Sequence, residues 1–231
     1  MYDKSLFACI FGENVVTLPS QIKTTIVKRV AIYGGSFNPV HFGHTGLAEW
    51  VLRHTPIDEI WMMVSPNNPL KDPHILADEQ QRINDLRLAL AKIGNTDKSR
   101  LGEACIGMDN GQAKWIKASD FEFGLPRPNY TANTLRELSK RYPDIAFSLL
   151  IGEDNWDIFT QWREWQFIAE NYPILVYPRH GEQGQQTLPK GADYKEVTYL
   201  KGAPYFDVSS TEIRRRKTEG RIRKAEPDKN D

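Results

Sequence analysis

The stretch that most constrains the fold is VAIYGGSFNPVHFGHTGLAEW, residues 30–50. It begins with β-branched residues, reaches a double glycine at Gly34 and Gly35, and continues after His44 with apolar residues at helical spacing. This order predicts a strand, a tight turn and a helix. When a buried parallel strand passes through glycines into a helix, free backbone amides and the positive end of the helix dipole converge on one spot. The stretch therefore predicts an anion site, most often one for phosphate.

Two histidines belong to this predicted anion site. His44 begins the apolar stripe of the helix, and His41 lies one turn earlier, so two imidazoles would flank the anion. A histidine at the start of an apolar stripe is also a common hydrogen-bonded residue at the edge of a core. A metal site is disfavoured, because the other histidines and the two cysteines do not have zinc-finger spacing.

Composition limits the classes of protein that this chain can be. With 231 residues, 40% of them hydrophobic, the chain can bury a full core within one domain. Thirty basic residues balance thirty acidic ones, which gives no reason to expect a nucleic-acid or membrane partner. Two cysteines and the lack of a long apolar run predict a cytoplasmic protein. We expect an N-terminal extension of unknown structure at 1–28, an α/β domain at 29–218 and a polar tail at 219–231.

Further apolar runs predict the other strands. The most continuous run, IAFSLLI at 145–151, indicates a strand buried on both faces. Runs at 59–64 and 174–177 suit shorter strands, and residues 115–123 alternate well enough for another. Between them, 77–93 has the pattern of an amphipathic helix, and we expect its Arg82 and Arg87 on the solvent face. This alternation predicts a doubly wound, Rossmann-like parallel sheet, in which ligands bind at the carboxyl ends of the strands.

Candidate ligand contacts follow these strand ends. Lys71, in the loop SPNNPLK, is a candidate phosphate contact, although an exposed loop lysine is more often only solvated. Gly152 would let a ligand approach its strand closely, and Asp154 could accept from ribose hydroxyls or cap the following helix. Before the helical segment YTANTL, Asn129 or Thr131 could be an ordinary helix cap, or the free amides there could hold a carboxylate.

A second helix start lies near the end of the chain, in VSSTEIR at 208–214. Ser209 and Glu212 form the capping-box pattern, which explains those two residues but not Arg214. Further basic residues follow as far as Lys224, and they could instead be a nucleic-acid-binding tail. The balanced charge of the remaining chain argues against that alternative.

GGSFNPVHFGH resembles the signature of the HxGH nucleotidylyltransferases, and its FNPVHFGH form is similar to that of bacterial nicotinate-nucleotide adenylyltransferases. The segments SPNNPLK, RPNYTANTL, IGEDNWDIFTQWREW and VSSTEIR resemble further parts of that family, so the resemblance spans about 30–216. One departure is Asn129, where the family usually has serine. The resemblance implies transfer of AMP from ATP to nicotinate mononucleotide, with Mg²⁺ bound to the pyrophosphate and no dedicated metal site on the protein.

The resemblance also implies roles for single residues. His41 and His44 would contact the triphosphate and stabilise the transition state, and Arg214 would hold the leaving pyrophosphate. Trp162 would stack on the pyridine ring, and the amides near Tyr130 would recognise its carboxylate. The remaining ATP-binding residues would be Gly34, Gly35, Ser36, Phe37, Gly152, Asp154, Ser209, Ser210 and Thr211, and the substrate-binding residues would be Asn67, Lys71, Tyr130, Thr131 and Trp162.

Several alternatives stay open at this point. The acceptor could be nicotinamide mononucleotide or another phosphomonoester, and a noncatalytic nucleotide-binding regulator would have the same phosphate loop. A fragment of a class I aminoacyl-tRNA synthetase is disfavoured, because VSSTEIR stands where a lysine-rich loop would be needed. The sequence also leaves open whether the protein forms a homo-oligomer.

Overall fold

A computed structural model describes residues 27–66, 78–93, 101–178, 188–206 and 210–215. Most of the predicted N-terminal extension and the whole predicted tail lie outside these residues. The strands are β1 (Lys28–Gly35), β2 (Glu59–Val64), β3 (Glu103–Asp109), β4 (Gln112–Ser119), β5 (Ile145–Gly152), β6 (Ile174–Tyr177) and β7 (Val197–Tyr199). The helices are α1 (Phe42–His54), α2 (Glu79–Leu90), α3 (Thr131–Arg141), α4 (Glu153–Asp157) and α5 (Trp165–Asn171), and a further helical segment at 210–215 is called α6.

In the described part of the chain, these strands form one sheet in the order β3-β4-β2-β1-β5-β6-β7. Every neighbouring pair is parallel except β3 and β4, which pair antiparallel at one edge. The parallel strands therefore have the doubly wound order, in which the chain reverses its direction of travel across the sheet between β1 and β5. Ligands of such sheets bind at the carboxyl ends of the strands beside that reversal. The predicted fold class is confirmed.

Both faces of the sheet are covered, which explains why its central strands are continuous apolar runs. Along β1, Ala31 and Tyr33 point into one core with the buried residues of α1 and α2. Val30 and Ile32 point into a second core with α3 and α5. This packing of helices on both faces holds the carboxyl ends of β1, β2 and β5 at one edge. No helix among the residues described is long and apolar enough to cross a bilayer.

The predicted strand at 115–123 is wrong at its end. Strand β4 stops at Ser119, and Phe121–Gly124 form a 3-10 turn in which the amide of Phe123 donates to the carbonyl of Asp120. The alternating pattern continues through this turn because Phe121 and Phe123 remain half-buried while the chain changes direction. As a result, Glu122 points inward from the turn and is 8% exposed.

The expectation for Arg82 is also wrong. Arg82 is 1% exposed, because it lies one turn before Leu86 on the buried stripe of α2. Its guanidinium is accommodated there by backbone carbonyls that accept its hydrogen bonds. Arg87 is only partly exposed and forms an ion pair with Asp120 at 2.9 Å.

Candidate active site

The loop after β1 has a conformation that its glycines and one aromatic residue explain. A Cβ on Gly35 would lie 3.1 Å from the ring of Phe37, and a Cβ on Gly34 would meet open space. Phe37 has a left-handed backbone, with φ of 43°, and its ring is almost fully buried. The buried ring of Phe37 anchors the loop in the core. The backbone of Gly34 stays exposed at the carboxyl end of β1.

The two histidines lie at the start of α1 and contact each other. His41 is the residue before the first turn, and its amide donates to Nδ1 of His44 at 3.2 Å. Their rings stack with centroids 3.7 Å apart, and the ring of Phe37 meets His44 edge-on at 5.1 Å. Because Nδ1 of His44 accepts a hydrogen bond, the neutral imidazole carries its proton on Nε2. The neutral ring of His44 is therefore a hydrogen-bond donor at Nε2.

Gly43, between the two histidines, is at a position where a side chain would crowd its neighbours. A Cβ on Gly43 would lie 3.1 Å from Nδ1 of His41 and 3.1 Å from Cβ of Phe206. Phe206 also stacks edge-on against Phe42, with ring centroids 5.7 Å apart. The chain that leads into α6 therefore passes directly over the first turn of α1.

Helix α6 is bound to the turn that precedes the histidines. The hydroxyl of Ser210 donates to the carbonyl of Pro39 at 2.9 Å, and the guanidinium of Arg214 donates to the carbonyl of Asn38. The guanidinium also donates to Oγ1 of Thr211 at 3.0 Å. Asn38 lies three residues before His41, so the structure brings Arg214 to the same loop as the histidines. Ser209, the predicted cap of this helix, lies outside the described residues.

Two further candidates lie on the neighbouring strand. Strand β5 pairs directly with β1 and ends at Gly152, which is buried and precedes the first turn of α4. Asp154 is exposed in that turn. Because β1 and β5 are parallel, these residues are at the same sheet edge as Gly34 and Gly35.

The predicted acceptor residues surround the start of α3. Tyr130 precedes its first turn, Thr131 is its first residue, and no side chain in the described structure caps it. The guanidinium of Arg163 lies 5.0 Å over the ring of Tyr130. Trp162 is half-buried, and its Nε1 is buried without a hydrogen-bond partner among the described residues. Asn67 and Lys71 lie outside the described residues.

The alternative in which Asn129 or Thr131 caps α3 is wrong. The side-chain amide of Asn129 instead donates to the backbone carbonyl of Glu122 at 3.1 Å. The first-turn amides of α3 therefore lack a side-chain acceptor from these residues, which suits the recognition of a ligand carboxylate.

Sequence reasoning missed three residues behind this edge, namely Arg82, Glu122 and Phe206. The first two are charged but buried, so their types and positions suggested solvent-exposed side chains. Burial raises the pKa of Glu122, although hydrogen bonds from Thr134 and Ser65 oppose that effect. No periodic signal identified these residues, because their partners come from other elements.

Groups from both ends of the described chain thus meet beside the reversal of a doubly wound sheet. This arrangement suits a nucleotidyltransferase, which must hold a triphosphate while its α-phosphorus is attacked. Residues 32–216 match the family model described as Cytidylyltransferase-like. In structure, the chain is similar to the Plasmodium falciparum nicotinic acid mononucleotide adenylyltransferase complexed with NaAD, with a TM-score of 0.59 and 18% identity over 81% of this chain and 83% of that one.

Curated relatives give the particular family. A probable nicotinate-nucleotide adenylyltransferase of Bacteroides thetaiotaomicron is 38% identical over 187 residues, which cover 80% of each chain. The protein of the same name from Flavobacterium johnsoniae is 36% identical over 195 residues, which cover 84% of this chain and 88% of that one. The chain belongs to the cytidylyltransferase-like family and, within it, to the nicotinate-nucleotide adenylyltransferases.

The contact between Gly43 and the first histidine can be tested with Gly43→Ala. The new methyl group crowds both His41 and Phe206, so we expect the His41 ring to shift away from His44. Imidazole NMR signals should change, because stacked rings shift each other's resonances. Gly124→Ala is the matched control, since a Cβ there meets open space. Unchanged imidazole signals in Gly43→Ala would contradict this packing.

Two buried glutamates should have opposite pH dependences. Burial raises the pKa of Glu122, so its contribution to stability is complete below pH 4.5 and is lost as the pH rises through the folded-state pKa. For Glu59, burial alone raises the pKa, but the side chains of Lys28, Trp61 and Lys117 lower it overall. Its contribution is therefore present above pH 4.5 and is lost as the pH falls through the folded-state pKa.

Urea unfolding of the wild type, Glu122→Gln and Glu59→Gln at a series of pH values measures both effects. As the pH rises, the unfolding free energy of the wild type should fall relative to Glu122→Gln and rise relative to Glu59→Gln. If the difference in unfolding free energy between wild type and variant changed with pH in the same direction for both variants, the environment of one glutamate would be misassigned.

Proposed function

We propose that this protein transfers AMP from ATP to nicotinate mononucleotide, with nicotinate adenine dinucleotide and pyrophosphate as products, in the biosynthesis of NAD in the cytoplasm. The observation that carries this proposal is the contact of Arg214 with the loop that leads into His41 and His44. The family membership and the uncapped start of α3 support the choice of acceptor.

The triphosphate would bind where the backbone of Gly34, the first turn of α1 and Arg214 meet. The first turn of α1 contains no acidic side chain, so its amides and its dipole favour an anion. Nε2 of His44 would donate to a phosphoryl oxygen, with His41 stacked beside it. The guanidinium of Arg214 would hold the β and γ phosphates, because a planar cation pairs well with phosphate oxygens.

In the proposed reaction, a phosphate oxygen of the mononucleotide forms a bond to the α-phosphorus of ATP. The bond from that phosphorus to the bridging oxygen breaks, and pyrophosphate leaves with its electron pair. The attacking phosphate is already an anion at neutral pH, so no side chain needs to act as a nucleophile. Catalysis comes from alignment of the two anions and from stabilisation of charge on the α-phosphoryl oxygens by the imidazoles.

Magnesium would enter with ATP and would neutralise charge on the leaving pyrophosphate. Within the described ranges, no group of three His, Cys, Asp or Glu side chains is arranged to hold a metal ion. Phosphate oxygens and water would supply most magnesium ligands, as is usual for this strongly hydrated cation.

The nicotinate group would bind at the start of α3. Its carboxylate would accept from the free amides near Thr131, and its ring would stack on Trp162. Gly152 and Asp154 would contact ATP from the neighbouring strand end, and Asn67 and Lys71 would contact the acceptor. An amide in place of the carboxylate would lose the charge that favours a helix start.

Steady-state kinetics with nicotinate and nicotinamide mononucleotides, side by side, test the proposal. We expect a kcat/KM for nicotinate mononucleotide about tenfold or more above that for the amide, since one charged hydrogen bond is worth about 1.5–3 kcal/mol. Pyrophosphate release reports turnover with either acceptor. Binding of ATP without pyrophosphate release would instead indicate a noncatalytic nucleotide-binding protein, and a preference for the amide would overturn the choice of acceptor.

The role of His44 can be tested with His44→Ala. Loss of one donor to the transition state typically lowers kcat by about 10²–10³-fold, and we expect a loss of that size with the fold retained. His54→Ala is the matched control, because His54 is an exposed histidine at the other end of the same helix. Near-normal turnover of His44→Ala would remove this residue from the chemistry.

A further inference from the structure

A buried arginine connects the loops that follow β1 and β2. Nη1 of Arg82 donates to the carbonyls of Ser36 and Ser65, each at 2.8 Å, and Nη2 donates to the carbonyl of Pro66 at 3.1 Å. Ser36 belongs to the loop of the proposed triphosphate site, whereas Ser65 and Pro66 directly follow β2. One guanidinium, held by helix α2, therefore links the loops that follow two neighbouring strands.

A buried glutamate continues this connection to α3. The hydroxyl of Ser65 donates to Oε2 of Glu122 at 2.8 Å, and the hydroxyl of Thr134 donates to Oε1 at 2.7 Å. The backbone carbonyl of Glu122 accepts from Asn129, which lies two residues before the first residue of α3. Glu122 therefore joins the loop after β2 to the helix start where the nicotinate carboxylate would bind.

Ser65 takes part in both connections, the one through Arg82 and the one through Glu122. Its carbonyl accepts from Arg82, its hydroxyl donates to Glu122, and its amide donates to the carbonyl of Gly35 at 2.9 Å. A continuous series of hydrogen bonds thus leads from the loop of the proposed triphosphate site to the start of α3.

Burial of these polar and charged side chains costs free energy, which indicates that the arrangement they impose on the joined segments is important. Arg82 and Thr134 are each 1% exposed, and Glu122 is nearly as buried. Buried ionic groups are often replaced by apolar side chains without loss of stability, so stability alone does not explain them. A satisfied buried network does, however, impose a single arrangement on the segments that it joins.

We propose that Arg82, Ser65 and Glu122 form a buried bridge that positions the acceptor site relative to the triphosphate loop. This inference rests on the proposed function, since it concerns the alignment of the two substrates. None of the three side chains needs to touch a reacting atom, so they are positioning residues. A misplacement of about 1 Å between reacting groups can cost about 10²-fold in rate, so the bridge should affect kcat more than binding.

The mildest test is Ser65→Ala, which removes one hydroxyl and leaves the backbone contacts of residue 65 in place. We expect kcat to fall about tenfold or more, while the KM values for ATP and nicotinate mononucleotide change less than about threefold, because each site stays intact and only their alignment is loosened. Ser148→Ala is the matched control. Ser148 is a buried serine in the middle of β5, and its hydroxyl donates to the carbonyl of Val30 at 3.4 Å, away from the strand ends.

Glu122→Gln gives a second and independent variant. Its matched control is Glu59→Gln, since Glu59 is an equally buried glutamate at the opposite end of strand β2. We expect Glu122→Gln to lower kcat and Glu59→Gln to leave it unchanged at a temperature where both variants are folded. The double variant Ser65→Ala with Glu122→Gln should be no slower than Glu122→Gln alone, because both changes break the same link.

The outcomes separate the bridge from the proposed function. Loss of stability in the bridge variants with an unchanged kcat would show a purely structural role and would overturn the bridge. If the wild type itself does not release pyrophosphate, the proposed function fails, and hydrogen exchange then decides the bridge. A nonhydrolysable ATP analogue should slow exchange of the amides at 131–134 in the wild type but not in Ser65→Ala, and equal protection in both would overturn the bridge.

Discussion

The site depends on one docking interaction, the attachment of helix α6 to the turn at Asn38 and Pro39. Backbone carbonyls in a turn have few internal donors to pair with, so they can accept from a hydroxyl and a guanidinium that come from elsewhere. This attachment brings a permanent positive charge to the loop where a helix dipole and two imidazoles already favour an anion. Without it, the loop after β1 would have no cation from the last described segment of the chain.

The parts of the fold that depend on local pattern were predictable. Strands β1, β2 and β5 are buried on both faces, so their sequences are continuous apolar runs, and the glycines after β1 indicated the turn that follows. The edge hairpin of β3 with β4 was not predicted, because the exposed half of β3 has no apolar alternation. The glycine loop after β1 and the two histidines that follow it were found from a motif, whereas the hydrogen bond from Arg214 to the carbonyl of Asn38 could not be predicted from any spacing.

Buried charges were the main failure of prediction, and the reason is physical. An unpaired arginine or glutamate side chain is more stable in water than in the protein interior. Its burial is tolerated only when partners from distant segments form hydrogen bonds with it. Arg82 is satisfied by carbonyls from two loops and Glu122 by hydroxyls from a loop and a helix. Because these partners are set by tertiary structure, periodicity within α2 or the turn after β4 could not reveal them. Arg82 and Glu122 both lie behind the proposed substrate sites.

The attachment of α6 also has a consequence for the order in which the chain can fold. Its hydrogen bonds join positions 171 and 176 residues apart, and α6 follows all seven described strands in sequence. During synthesis these strands can therefore pair into the sheet before α6 is available. A nascent chain would acquire its sheet first and the contact of Arg214 with the loop after β1 only later.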